Sequence, residues 1–223
     1  MNRAKFFDEL RGGPLFGGRL SQSQVQGVEA ILDKCAEYGA DLGQTAYIEA
    51  TGYGETGGSM VPKRENMNYS ARRIPQVFGV HRRQGIPVSR LAGNPELLAN
   101  TVYGGDWGRK HLGNTEPTDG WDFRGWGIGQ WTGRRNTAKA AKQVGMDLLS
   151  DPSLLDSIDL NAELLVKWMM EGGATGRKLP EFVSGNRRDY HSARQVWGGV
   201  EPAKYARHAR VFEAALNSAG MAA

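Results

Sequence analysis

The chain has 223 residues, of which 28 are Lys or Arg and 24 are Asp or Glu, for a net charge of +4. Apolar residues at 39% and charged residues at 23% are globular proportions and exclude wholesale disorder. The 31 glycines are about twice the usual share, but they lack the G-X-Y period of collagen. The length suits one large domain or two lobes with a real core. Mild basicity is compatible with a polyanionic partner and does not demand one. The single cysteine, Cys35, cannot make an internal disulfide. His81, His111, His191 and His208 lack the spacing of a zinc site, so no metal and no cofactor is expected. No run approaches ~18 apolar residues, which argues against stable membrane insertion. The segment MNRAKFFDELRGG is charged and does not read as a secretory signal, so synthesis in the cytoplasm is expected.

In chain order, the spacing predicts a helix over 21–38. Ser21 and Gln24 form a capping-box pattern, Val25, Val28, Leu32 and Cys35 share a face, and Gly39 suits a C-cap. Cys35 reads as a small core residue on that face. A second helix is predicted from about Leu42 to Tyr53, ending in the glycines 52, 54, 57 and 58. Residues 59–118 are irregular and polar, with weak helical pieces near 70–78 and 94–103. Between Ser59 and Arg90 there are seven Lys or Arg and one acid, Glu65. The stretch Gly104–Gly133 holds nine glycines and four of the six tryptophans. Helical patterns return at 136–144, at 159–171 with Asp159 as the cap, at 190–197 and at 203–219. The alternation of a large sheet is missing. A mainly α, two-lobed fold is predicted as one domain over 1–223, with at most a small β-hairpin in the 118–130 region. Its helical lobe is 1–58 with 119–223, and its smaller inserted lobe is about 59–118.

Two carboxylates draw attention. Glu55 stands in GYGETGG at the end of an apolar helix. Its neighbours have little or no side chain, so a polymer could approach closely. Partial desolvation there would keep a proton on the carboxyl, as a general acid requires. Glu65 stands in PKREN beside Lys63 and Arg64, whose charge would favour the ionised form suited to a base. Two carboxyls pushed in opposite directions suit glycoside hydrolysis. The alternative is a local cap for Glu55 and a surface ion pair for Glu65. Asp106, Asp119 and Asp122 are the other candidate bases.

The stretch DGWDFRGWGIGQWTGRRN places Trp121, Phe123, Trp126 and Trp131 among glycines, with Arg124, Gln130 and Thr132 between them. Sugars stack on aromatic rings and need fixed polar partners for their hydroxyls; core packing for about half of these tryptophans is the competing expectation. Gly125-x-Gly127-x-Gly129 is not a dinucleotide fingerprint, and no G-K-[ST] occurs. The basic residues come as pairs rather than a helical stripe, so no nucleic-acid partner is expected. Such pairs usually make a solvated face; a wall facing an anionic polymer is the sharper alternative.

Together these residues resemble glycoside hydrolase family 19, the chitinase-like family, and within it the endolysins of bacteriophages. The resemblance rests on Gly54-Glu55-Thr56-Gly57, on Met60 to Asn66 ending in Glu65, and on Asn68-Tyr69-Ser70-Ala71. It continues through Val102 to Gly105, Leu112 to Pro117 and Phe123-Arg124-Gly125-Trp126-Gly127-Ile128-Gly129-Gln130-Trp131-Thr132-Gly133-Arg134, and on to the tail Tyr205–Leu216. It implies an α-rich, lysozyme-like fold with a cleft. It also implies Glu55 as general acid, Glu65 as general base and Thr132 as a holder of the attacking water. Asn68, Tyr69, Arg124, Trp126, Gln130, Trp131 and Trp197 would bind substrate. An inverting reaction would set the two carboxyls ~6.5–9.5 Å apart. The family histidine before the acid is Gly54 here, the second arginine of its F-R-G-R-G motif is Trp126, and a late Asn-Gly stands as Trp197-Gly198. The implied protein is a monomeric peptidoglycan-degrading endolysin, made in the host cytoplasm and reaching the cell wall through a membrane hole. The alternatives are a chitinase acting on chitin oligomers, or a non-catalytic virion or wall-binding protein.

Overall fold

A computed structural model describes residues 1–222 and is mainly helical. Its helices are α1 (Arg3–Gly12), α2 (Gln22–Tyr38), α3 (Leu42–Thr56), α4 (Ile74–Val77), α5 (Val88–Leu91), α6 (Pro95–Val102), α7 (Gly105–Leu112), α8 (Asp119–Asp122), α9 (Arg134–Val144), α10 (Ile158–Glu171) and α11 (Pro202–Ser218). The strand structure among the described residues is one antiparallel pair, β1 (Val183–Ser184) with β2 (Arg187–Arg188), in register Val183 to Arg188. The hairpin therefore lies at 183–188 and not in the predicted 118–130 region, where α8 and tight turns stand instead. Gly185 turns it with a φ of +54°, a conformation that glycine adopts without a Cβ clash.

The chain forms two compact units, one of Met1–Pro62 with the chain from Ser157 onward, the other of Lys63–Asp156. The segment 119–156 thus packs with the inserted residues, whereas the sequence pattern assigns it to the helical lobe.

In the first unit α3 is the central helix. Asp41 caps it through a capping box with Gln44, and eleven consecutive residues from Leu42 to Gly52 are buried. A helix buried on all sides must be wrapped by others; α11, α2 and α10 pack on it. The boundaries of α2 follow the predicted chemistry: Ser21 and Gln24 satisfy each other's backbone amides, and Gly39 closes the helix at φ +75°. Cys35 is fully buried, as its place on the apolar face predicts. The cap of α10 is Ser157, whose hydroxyl accepts from the Leu160 amide. Asp159 sits one residue inside the helix, where its charge complements the amino-terminal dipole.

The second unit has its own core of Met67, Ile74, Phe78, Leu91, Leu98, Ala99, Val102 and Tyr103. Each large apolar side chain buried there contributes roughly 1.5–3 kcal/mol. Short helices and tight turns dominate the unit. Asp119, fully buried, organises them. It pairs with Arg134 at 2.6 Å and accepts from the amides of Thr115 and Glu116 at 2.7 and 3.0 Å. Burial opposes its charge, but Arg134 and the two amides outweigh it and hold the carboxyl below its ordinary range. Asp119 is thereby committed to structure.

Candidate active site

Glu55 is the next-to-last residue of α3. The helix continues through Gly52 and Gly54 to Thr56 before Gly57 closes it at φ +61°, so the carboxyl stands on a regular last turn. Its side chain is 19% exposed. Arg194 Nη2 and the Tyr205 hydroxyl both donate to Oε1, each at 2.9 Å. Both contacts fall on the same oxygen, Oε1. Arg194 is itself fixed. Its guanidinium lies 3.7 Å from the centre of the Tyr205 ring, and its Nε donates to the Val200 carbonyl at 3.2 Å. Beside it opens a pocket of about 610 Å³ lined by His191, Arg194, Gln195, Gly198, Gly199 and Pro202. Trp197, half-buried, belongs to the same loop.

Glu65 lies in the second unit on an extended segment bonded to the glycine-rich stretch. Its amide donates to the Gly125 carbonyl at 2.6 Å, and the Gly125 amide returns a bond to Oε2 at 3.1 Å. The Tyr103 hydroxyl donates to Oε1 at 2.7 Å. Burial, then the neighbouring Glu65 carboxylate, pushes the Tyr103 hydroxyl far above its ordinary range, so it remains a donor at any working pH. The absence of a side chain at Gly125 leaves room for this packing. A Cβ on it would stand 2.5 Å from Gln130 Oε1 and 3.2 Å from Glu65 Cβ.

Of the two basic residues beside Glu65, Arg64 is engaged elsewhere. Arg64 is paired with Asp156, and its guanidinium sits 4.2 Å from the centre of the Trp126 ring. Arg124, only 7% exposed, lies 3.7 Å from the Trp121 ring and donates to the Trp121 carbonyl at 2.7 Å. Trp126 and Trp131 are 5% and 2% exposed. Arg64 over Trp126, and Arg124 against Trp121 and Trp126, make a packed cation–π stack. Arg124, Trp126 and Trp131 are therefore buried, and no open indole face is offered to a sugar at either tryptophan. The motif packs as core, and its Gly125 bonds to Glu65.

The remaining predicted residues lie nearer the surface. Gln130 is exposed at a φ of +49°, an uncommon conformation for a residue with a side chain. Its amide nitrogen donates to the carbonyls of Lys63 and Gly127 at 3.1 and 3.0 Å, which ties the glycine-rich turn to the Glu65 segment. The Thr132 hydroxyl, half-buried, donates to the Gln130 carbonyl at 3.0 Å, so its oxygen is left as an acceptor. Asn68 is exposed. Tyr69 is half-buried, and burial together with the Glu65 charge raises its hydroxyl above the ordinary value. Asp106 is exposed and Asp122 half-buried. Among the described residues no three His, Cys, Asp or Glu side chains come together as a metal-holding group, and no helix is long and apolar enough to cross a membrane.

Sequence reasoning assigned no role to Tyr103, Arg194 or Tyr205, the side chains that hold the two glutamates. Tyr103 had a signal, since it opens the Tyr-Gly-Gly turn of a motif. Tyr205 opens the tail segment of the resemblance, but nothing local linked it to Glu55, 150 residues away in the chain; Arg194, 139 residues from Glu55, had no signal at all.

No protein-family model matches the chain. Over 113 residues, 51% of its length, it is 30% identical to a curated protein of Haemophilus influenzae described as a glycosyl hydrolase family 19 domain-containing protein. The match takes in 54% of that relative, so the chain spans about half the length of the curated protein it is similar to.

Proposed function

We propose that this chain is a glycoside hydrolase of the endolysin type. It cleaves β-1,4 bonds between N-acetylmuramic acid and N-acetylglucosamine in peptidoglycan, with inversion. The observation that carries this reading is the one-sided anchoring of Glu55: Oε1 takes both donors, and Oε2 is left to protonate the glycosidic oxygen. Glu65, with each oxygen fixed by a donor from its own unit, is assigned the second carboxylate role, as the base that activates water. Thr132 offers acceptor lone pairs to that water. Asn68, Tyr69 and Trp197 are assigned to sugar contacts. The similarity to a glycosyl hydrolase family 19 domain-containing protein supports the reaction class. The acid-poor, arginine-rich residues 59–90 suit the carboxylates of peptidoglycan stem peptides rather than neutral chitin. In this reading the protein acts as a monomer, is made in the host cytoplasm, and meets the wall in the periplasm after a membrane hole opens.

Digestion of purified peptidoglycan, with product masses and anomeric configuration recorded, tests this. The expected products carry ordinary reducing ends formed with inversion. Anhydro ends, a retained configuration, or turnover of chitin oligomers without turnover of peptidoglycan would overturn it.

A further inference from the structure

The helix that carries Glu55 has no side chain at the preceding position. Gly54 is helical, at the end of α3, and the reason for its bareness lies across the helix interface. A Cβ built on it would stand 2.3 Å from Tyr205 Cε1, 2.7 Å from Cζ and 2.9 Å from the hydroxyl oxygen. The phenol end of Tyr205 thus occupies the space that any side chain at residue 54 would need. Tyr205 is 5% exposed and projects from the first turn of α11 onto α3. From that position its hydroxyl reaches Glu55 Oε1 at 2.9 Å. Arg194 stacks on the ring and bonds to the same oxygen. The ring thus meets both the Gly54 backbone and a guanidinium, and its hydroxyl donates to one carboxylate oxygen.

We propose that Tyr205 is a positioning residue for Glu55, held by the close approach that Gly54 permits, and that it fixes Oε1 so that Oε2 is presented to the bond being cleaved. Residue 54 and Tyr205 form one device. The group that orients the acid comes from α11, and the position beside the acid is emptied to admit it. Burial, and next the Glu55 charge, push the Tyr205 hydroxyl far above its ordinary range, so it donates throughout the working pH range. Tyr205 transfers no proton to substrate. Its effect is on the aim of Glu55, which belongs to the transition state more than to substrate binding.

This rests on the assignment of Glu55 as the acid, and the test separates the two ideas. Tyr205→Phe keeps the ring, its stack under Arg194 and its contact with Gly54, and removes only the hydroxyl. On purified peptidoglycan it is expected to lower kcat about 10- to 100-fold, the scale of one lost hydrogen bond to a charged group, with KM unchanged and the protein still fully folded at the assay temperature. Gly54→Ala, which keeps the hydroxyl but displaces the ring, is expected to lower kcat as well. If Glu55→Gln is inactive while Tyr205→Phe turns over at the parent kcat, the positioning role is overturned and the acid stands. A fall in kcat that merely tracks loss of folded protein in both variants overturns it too. If Glu55→Gln itself keeps the parent rate, the functional reading fails instead.

Discussion

Glu49 lies in the middle of α3 with no exposed surface and with no hydrogen-bond partner for either carboxylate oxygen. Burial pushes its carboxyl well above the ordinary range, against a smaller opposing effect from Arg3. The sign of the consequence follows from proton counting. Above about pH 4.5 the unfolded chain releases this proton and the folded chain keeps it, so the folded state binds more protons and stability falls as pH rises. The slope is ~1.4 kcal/mol per pH unit until the folded group ionises as well. Glu49→Gln keeps the shape and removes the titration. Its stability relative to the parent should therefore increase at that slope from about pH 4.5 upward. Glu49→Leu also removes the orphaned polar group, which recovers a further ~1–3 kcal/mol, and each kcal/mol corresponds to roughly 2–4 °C in Tm for a chain of this size. Urea denaturation of the three proteins between about pH 4 and pH 7 measures this directly. Parallel curves, with a constant offset between parent and Gln variant, would refute the reasoning, because they would mean that Glu49 ionises alike in both states.

Three further outcomes follow from the same contacts. Tyr103→Phe keeps the edge-to-face contact with Phe78 but removes the bond to Glu65 Oε1; turnover should fall about 10-fold or more with little change in Tm, and parent-level turnover would argue against Glu65. Asp119→Ala breaks an ion pair that is buried on one side only, its Arg134 partner keeping 32% exposure. The cost in chemical denaturation should be about 2–4 kcal/mol, somewhat below that of a fully buried pair. Because the Asp119 carboxyl is held below its ordinary range, the parent's advantage should shrink as pH falls below about 4. Gly54→Ala should destabilise the parent by about 1–3 kcal/mol through overpacking against Tyr205, and far less in a Tyr205→Ala background; equal costs in the two backgrounds would contradict the close approach.

The legible parts of the fold are those whose determinants are local. The ends of α2 are written in Ser21, Gln24 and Gly39. The end of α3 is not, because glycine has two meanings. Gly52 and Gly54 look like helix breakers, yet they are bare to admit Ile31 and Tyr205 from other helices, so the helix runs three residues past its predicted end and carries Glu55 with it. Helix α1 escaped because its charges mask the buried face of Phe6, Phe7 and Leu10. In the Trp121–Trp131 stretch, glycine and indole together suggest a sugar platform. The physical difference between a platform and a core stack is the arginine between the rings. A guanidinium on an indole face satisfies that face, and Arg64 and Arg124 were available in sequence to do so. The two glutamates were legible as unusual acids, but not their tyrosine and arginine partners, because only the tertiary fold brings those to them.

The most direct test of the account is the rate at which folded Glu55→Gln protein releases reducing ends from purified peptidoglycan. Loss of a general acid predicts a fall of about 10²–10⁴-fold relative to the parent. Release at the parent rate would contradict the assignment of Glu55 and the glycoside hydrolase reading built on it.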